Sequence, residues 1–372
     1  MRNSKRWVLP GAVSVVILAA STVPHAVASG PDPNLPTVSA ADLIASVRAA
    51  SVETLSGTLQ VDADLGLPTL PDHLVGSSSG AAALLTGSHT LRLWVDGAAR
   101  QRLAMLDDLA ETDVIHNGSD LWTYDSSTNA VTHRLLPSRA AGNFGSGPME
   151  STPQAAAQRL LNDLDPSTTV AVAGTSQVAG RPTYQLTLTP RTTDTLVRSV
   201  RIDIDADNRI PLRVQIFGVG AEPAWSTGFT SGDDGRSSTL SFATPSASEF
   251  QFTVPSGATV TQSGGAPSPG EPEPANPDPN PDPSDARPHP VGSGWATVLE
   301  FPAADLNVGS GPADGSGGRH SSVLGWLERS ATPVPEGRLV STSLVSLLIT
   351  PDGRAFVGAV PPAVLRAAAA QG

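Results

Sequence analysis

Between Thr168 and Val254 the sequence alternates apolar and polar residues in one short run after another, and this two-residue rhythm constrains the fold more than any other feature. Thr168 to Ala173, Thr183 to Thr189, Ser199 to Ile204, Leu212 to Phe217, Thr239 to Phe242 and Phe250 to Val254 all show it. Turn residues separate them at Ala179-Gly180, Asp205 to Asn208 and Asp233-Asp234-Gly235. Successive side chains of a strand point to opposite faces, so each run predicts a strand with one buried and one solvated face. Leu55 to Ala63, His89 to Asp96 and, past the Asp96-Gly97 turn, Gln101 to Leu106 carry the same pattern in the first half. Only two stretches of this region read as helices. The first begins at Ser39, with Ala41, Leu43, Ile44, Val47 and Ala50 near a 3.6-residue period. The second opens at Ser151-Thr152-Pro153, carries Ala156, Leu160, Leu161 and Leu164, and stops at Pro166. Roughly ten strands at hairpin spacing with two helices predict an α+β fold: one large antiparallel sheet, strongly curved, wrapped around the helices on its concave side.

The stretch from His116 to Pro137 is a β-hairpin in which Leu121-Trp122-Thr123-Tyr124 and Ala130-Val131-Thr132 flank the turn residues Asp125 to Asn129. It resembles the "DGKxLWxYDPxxxQVT" hairpin of the LolA lipoprotein-carrier family, with Asn117-Gly118, Leu121-Trp122, Tyr124-Asp125 and Val131-Thr132 in register. The helix start at Ser151-Thr152-Pro153, the run Tyr184 to Arg191 and the run Phe250 to Ala258 are similar to that family's "TPxxLL", "FxLTPK" and "FxFxPPxGVxV" segments, in the same order. Together they span residues 37 to 262. The resemblance implies the incomplete barrel of LolA, LolB and RseB and a non-enzymatic carrier of lipids or acylated lipoproteins. It also implies that Arg102 stands where the family has a strand arginine involved in lid closure.

The ends of the chain divide it further. Arg2, Lys5 and Arg6 precede an apolar run from Trp7 to Ala20, and Ala26-Val27-Ala28 is an A-x-A cleavage site, so residues 1–28 read as a Sec-type signal peptide cut after Ala28; retention as an anchor is the alternative. The expected location is secreted or extracytoplasmic. Residues 29–262 form the LolA-like domain. Residues 263–291, with Pro277-Asp278-Pro279-Asn280-Pro281-Asp282-Pro283, form an extended Pro/Asp-rich linker. Residues 292–372 form a C-terminal segment that docks on the main sheet or makes a small subdomain, with a hairpin across Thr350-Pro351-Asp352-Gly353 and a closing helix from Pro361 to Ala370. RseB-type relatives also carry an addition after a linker.

Several chemistries are disfavoured. The chain has no cysteine, so it makes no disulfide, thiolate metal site or lipobox acylation. Loss of Arg2, Lys5 and Arg6 takes the formal charge from -12 to -15, a surface that repels nucleic acid and anionic bilayers and leaves at most transient membrane contact. Gly76-Ser77-Ser78-Ser79-Gly80 satisfies G-x-S-x-G, but a nucleophile elbow needs a parallel-sheet context. Asp203, Asp205, Asp207 and Asn208 mimic the start of a calcium loop, yet the sixth position is Asn208 rather than glycine and the twelfth is Val214 rather than glutamate. The histidines have no metal-ligand spacing, and Asp107-Asp108 and Asp233-Asp234 read as solvated turns. No catalytic residue, metal site or cofactor is expected.

What remains is apolar surface. A sheet curved around two short helices has more inward side chains than they cover, and the surplus must meet another helix, a lid or an apolar guest. The candidate ligand-binding residues are Leu59, Val61, Leu91, Leu93, Leu186, Leu188, Ile202, Ile204, Val214 and Ile216, with Val95, Leu103 and Met105 on the same faces. Trp94, Trp122 and Tyr124 are expected at the cavity mouth, Arg102 beside them, and Leu65 to Gly87 as a lid. The reading is an exported lipid or lipoprotein carrier. An RseB-like envelope-stress sensor that binds an anti-sigma partner or a lipid is the alternative, and a purely structural envelope protein the third reading.

Overall fold

The computed structural model describes residues 33–66, 84, 86–106, 110–136, 152–162, 164, 166–231, 239–263, 288–303 and 331–370. Residues 1–28, expected as a signal peptide, most of the expected lid segment with the G-x-S-x-G run, the paired acids at 107–108 and 233–234, and nearly all of the expected linker lie outside the described residues.

Twelve strands make the larger sheet: β1 (Thr54–Ala63), β2 (Gly87–Asp96), β3 (Arg100–Leu106), β4 (Glu111–Asn117), β5 (Asp120–Asp125), β6 (Ala130–Leu135), β7 (Thr168–Val178), β8 (Arg181–Pro190), β9 (Ser199–Asp205), β10 (Pro211–Phe217), β11 (Trp225–Phe229) and β12 (Thr259–Ser263). Their order is β12-β6-β5-β4-β3-β2-β1-β11-β10-β9-β8-β7, and the two outermost strands do not pair, so the curved sheet stays open as an incomplete barrel. Its hairpins are closed by local chemistry. Asp125 Oδ1 accepts the Ser127 N–H at 2.8 Å, Asp205 Oδ1 accepts those of Asp207 and Asn208 at 2.9 and 2.8 Å, and Gly97 and Gly180 take φ of +69° and +73° in their turns.

Two helices lie against one face. In α1 (Ala40–Ala49) the Ser39 hydroxyl caps the Asp42 N–H at 3.1 Å, and Ala40, Leu43 and Val47 are buried. In α2 (Pro153–Asn162) proline opens the first turn, Thr152 Oγ1 accepts the Ala155 N–H at 3.3 Å, and Ala157 and Leu161 point inward four residues apart. Arg48 donates to the Leu161 carbonyl at 2.6 Å and joins the two helices.

Three expectations need correction. The sheet is not wholly antiparallel, because β12 runs parallel to β6. Thr239 to Phe242 and Phe250 to Val254 are not strands: the first contributes one bridge, Ser56 to Ser241, and Phe250 sits in a short 3-10 turn, Ala247–Phe250. Aromatic burial outweighs the ladder there, since Phe250 is 1% exposed and Phe252 packs 5.2 Å from Trp122. Finally, β4, β11 and β12, which complete the twelve strands, are absent from the expected runs; ETDVIHN, WSTGF and TVTQS offer too little apolar alternation to stand out.

The C-terminal residues build a sheet of their own, ordered β13-β14-β18-β17-β16-β15, from β13 (His289–Val291), β14 (Val298–Pro302), β15 (Thr332–Val334), β16 (Gly337–Ser341), β17 (Ser346–Ile349) and β18 (Arg354–Gly358). Helix α3 (Pro362–Ala369) covers one side and buries Leu365 against Val298, Leu348, Phe356 and Val360. No helix among the described residues is long and apolar enough to cross a membrane.

Candidate functional site

Register carries one apolar surface across the large sheet. Leu186 faces Ile202, Ile202 faces Val214, Val214 faces Thr227, Thr227 faces Val61, and Leu59 faces Leu91 on the next strand. Of the candidate residues, Leu59, Val61, Leu91, Leu93, Leu186, Leu188, Ile202, Ile204 and Val214 are all buried on this inner face, and Ile216 is partly buried against the same cluster. Most meet the chain itself: Leu43, Val47, Ala157 and Leu161 from the helices, and Leu344 from the β16–β17 turn, share a cluster with Leu186, Leu188, Ile202, Ile204 and Val214. The surplus apolar surface is thus filled in part by the C-terminal sheet.

Filling is incomplete beside α2. A cavity of about 610 Å³ lies between that helix and the sheet. Its apolar wall is Leu55, Leu93, Val95, Ile210 and Phe229; its opposite wall is the Thr152–Asn162 stretch, and the turn at Gly97 and Ala98 stands at its rim. Leu93 and Val95 were legible as inward residues. Phe229, Ile210 and the α2 side chains were missed, although Gln154, Gln158 and Asn162 recur every fourth residue and so share a helix face.

The aromatic candidates and Arg102 stand elsewhere. Trp94 alternates with Leu93 and Val95, Arg102 with Leu103, and Ile115 pairs with Trp122 while Asp113 pairs with Tyr124, which puts all four on the outer face, not at the cavity mouth. There Arg102 donates Nε and a terminal nitrogen to both Asp113 oxygens at 2.9 and 3.0 Å and lies 5.1 Å over the Trp94 ring. Glu249 reaches within 3.8 Å of it. Burial and the neighbouring Asp113 push the Glu111 carboxyl above its ordinary value, against the pull of Arg102. Trp122 stacks on His133 at 3.8 Å with 10° between rings, and the His133 Nε2 lies 2.7 Å from Asp120 Oδ1. This arrangement holds the 247–263 segment down; it is a packed outer surface.

The calcium-like acids are also on that face. Asp203 is fully buried and accepts Arg213 Nε at 2.7 Å, Ser176 Oγ at 2.8 Å and Gln185 Nε2 at 3.1 Å. Asp205 takes a bidentate bond from Arg181. Burial alone would raise its carboxyl, but the Arg181 hydrogen bond and the Asn208 and Asp207 N–H groups outweigh it, and the net shift is downward. Among the described residues no three histidines or acids gather as a metal site.

His116 faces the interior, opposite Gln101. His116 is fully buried with Nε2 2.8 Å from the Gly118 carbonyl, and burial pushes its pKa below the ordinary 6.5. A depressed folded-state pKa means the unfolded chain binds the proton more readily, so stability present above pH 6.5 is lost as pH falls through the folded value. Urea unfolding at pH 7.5 and 5.5 should show a fall at the lower pH that is smaller in His116→Leu; an equal fall in both would reject this assignment.

Fold and site together define an open, curved β-sheet with two helices against its inner face and a half-open cavity beside α2. No family model matches the chain, and no curated protein does. Solved structures align with it at low identity. The MucA/MucB complex of Pseudomonas aeruginosa aligns at 15% identity over 89% of this chain and 96% of that chain, with a TM-score of 0.41. A LolA superfamily protein from Nitrosomonas europaea aligns at 9% identity over 55% and 82% of the two chains, TM-score 0.20. A putative outer membrane lipoprotein-sorting protein domain from Vibrio parahaemolyticus aligns at 14% over 57% and 94%, TM-score 0.21. The reading of the site rests on the chain's own geometry.

Proposed function

We propose that this is an exported, non-enzymatic binding protein that shelters an apolar or amphiphilic guest, a lipid or the acyl chains of a lipoprotein, in the cavity beside α2. The observation that carries this reading is the cavity: about 610 Å³ with an aliphatic and aromatic wall on a rigid sheet, within the range of small-molecule sites. Each methylene moved out of water contributes about 0.8 kcal/mol, so part of one acyl chain suffices to drive binding. The motif resemblance to the carrier family supports the same class. A sensor role, with an envelope or anti-sigma partner, draws support from a different feature: Leu344 ties the C-terminal sheet into the apolar cluster beneath α1 and α2, and α2 also walls the cavity, so that one unit can register the state of the other.

Organic extraction and native mass spectrometry of the chain purified without detergent should recover a bound lipid. Val95→Trp, which puts an indole into the cavity from a partly exposed position, should reduce the recovered lipid at least tenfold while the thermal midpoint stays close to that of the parent. A parent chain that carries and takes up no lipid would remove the proposal.

A further inference from the structure

The two walls of the cavity differ in kind, and the difference specifies the head of the guest. Gln154, Gln158 and Asn162 stand at i, i+4 and i+8 on α2 and all border the cavity, opposite Leu93, Val95 and Phe229. A fourth carboxamide, Gln101, enters from β3 and donates to the Gly97 carbonyl at 3.4 Å. With a rise of 1.5 Å per residue, the helical amides spread over about 12 Å, the reach of a sugar head and not of a point charge. Each carboxamide offers two donors and an acceptor with two lone pairs, which matches hydroxyl groups that both give and accept. A phosphate head calls instead for converging guanidinium or ammonium groups. Among the described residues the cavity's border holds one cation, Arg159, and one acid, Glu53, whose formal charges cancel.

Resting on the guest-binding reading above, we propose that the guest is an amphiphile with an uncharged, hydroxyl-rich head: its acyl part lies against Leu93, Val95 and Phe229, and its head is read by the amide stripe of α2. The exposed positions of Gln158 and Asn162 put that head at the cavity opening, where unsatisfied hydroxyls still reach water.

The test uses the full chain and three probes of equal acyl composition, glucosyl diacylglycerol, phosphatidylglycerol and diacylglycerol, each competing against a fluorescent fatty acid. The glucosyl lipid should displace the reporter at a concentration at least tenfold below that of phosphatidylglycerol. In Gln154→Leu/Gln158→Leu it should fall to the level of diacylglycerol, and Gln158→Glu, which keeps side-chain length and helix propensity, should weaken it as well; thermal melts confirm that both variants fold. Phosphatidylglycerol binding as tightly as the glucosyl lipid, or an unchanged preference in both variants, overturns the head assignment and leaves the apolar cavity standing. Failure of all three probes to displace the reporter removes the cavity reading and this inference with it.

Discussion

Asp203→Ala should lower the unfolding free energy by about 2–3 kcal/mol, the cost of removing a buried, charged acceptor from the donors it satisfies. The carboxylate has no solvent exposure and accepts three side chains from three strands, Ser176 on β7, Gln185 on β8 and Arg213 on β10. Its removal takes an acceptor from all three at once, although Ser176 keeps Thr183 at 2.8 Å and Arg213 still reaches water. The Arg213 stem is itself fixed, because β11 places Gly228 beneath it and a Cβ there would come within 2.9 Å of Arg213 Cγ. Asp207 provides the contrast: it also meets Arg181, but its side chain is 74% exposed, and Asp207→Ala should cost well under about 1 kcal/mol. Urea unfolding curves read both, with the slope unchanged and only the midpoint moved. A double variant, Asp203→Leu with Arg213→Met, should recover most of the loss, since a buried ion pair contributes little beyond what matched apolar groups would. Equal effects at Asp203 and Asp207 would refute the distinction between them.

That distinction also marks how far the sequence can be read. Asp203, Asp205 and Asp207 look alike in the string, three acids at alternate positions, and alternation alone places the first two on a polar face. The burial of the two comes from their partners, Arg213 and Arg181, which only the strand order supplies. The twelve-strand sheet was legible wherever apolar residues alternated cleanly and a turn followed, as in Leu91-Leu93-Val95 before Asp96-Gly97. It was not legible at Phe250 and Phe252, which alternate equally well but bury their rings on a finished sheet, with Pro255 unable to donate to a ladder. The inner-face residues of the candidate site were read correctly as inward. Trp94, Trp122 and Tyr124 were grouped with them on chemical character, although Trp94 already alternates with Leu93. The cavity itself was hidden because it depends on how α2 tilts over the sheet, and no local pattern encodes that.

Leu344→Asp should cost more than the about 2–5 kcal/mol typical of trimming a buried leucine, because it sets an unpaired carboxylate at the edge of the apolar cluster that also holds Leu43, Leu161, Ile204 and Val214. Its effect should also be specific to the union of the two sheets. The turn that carries Leu344 is held from several directions: Ser343 N–H donates to the Leu65 carbonyl at 2.9 Å, its hydroxyl to the Asp64 carbonyl at 3.2 Å, and Gly218 lets it approach so closely that a Cβ would lie 2.5 Å from the Ser343 oxygen. Away from that turn, Leu196 N–H reaches the Ala359 carbonyl and Trp295 Nε1 reaches Thr168 Oγ1, both at 2.8 Å. The C-terminal sheet keeps a core of its own around Leu348, Phe356 and Leu365, so it has reason to survive when the union fails. Calorimetry of the parent should therefore show one transition and that of Leu344→Asp two, with the larger sheet melting first because its interior has lost a buried contact and gained a charge. Gly218→Val, which blocks the approach at the Ser343 carbonyl and crowds Leu344 from the neighbouring strand, should produce the same split. One unsplit transition at an unchanged midpoint in both variants would mean that the sheets stabilise each other through other contacts, and that Leu344 does not link them.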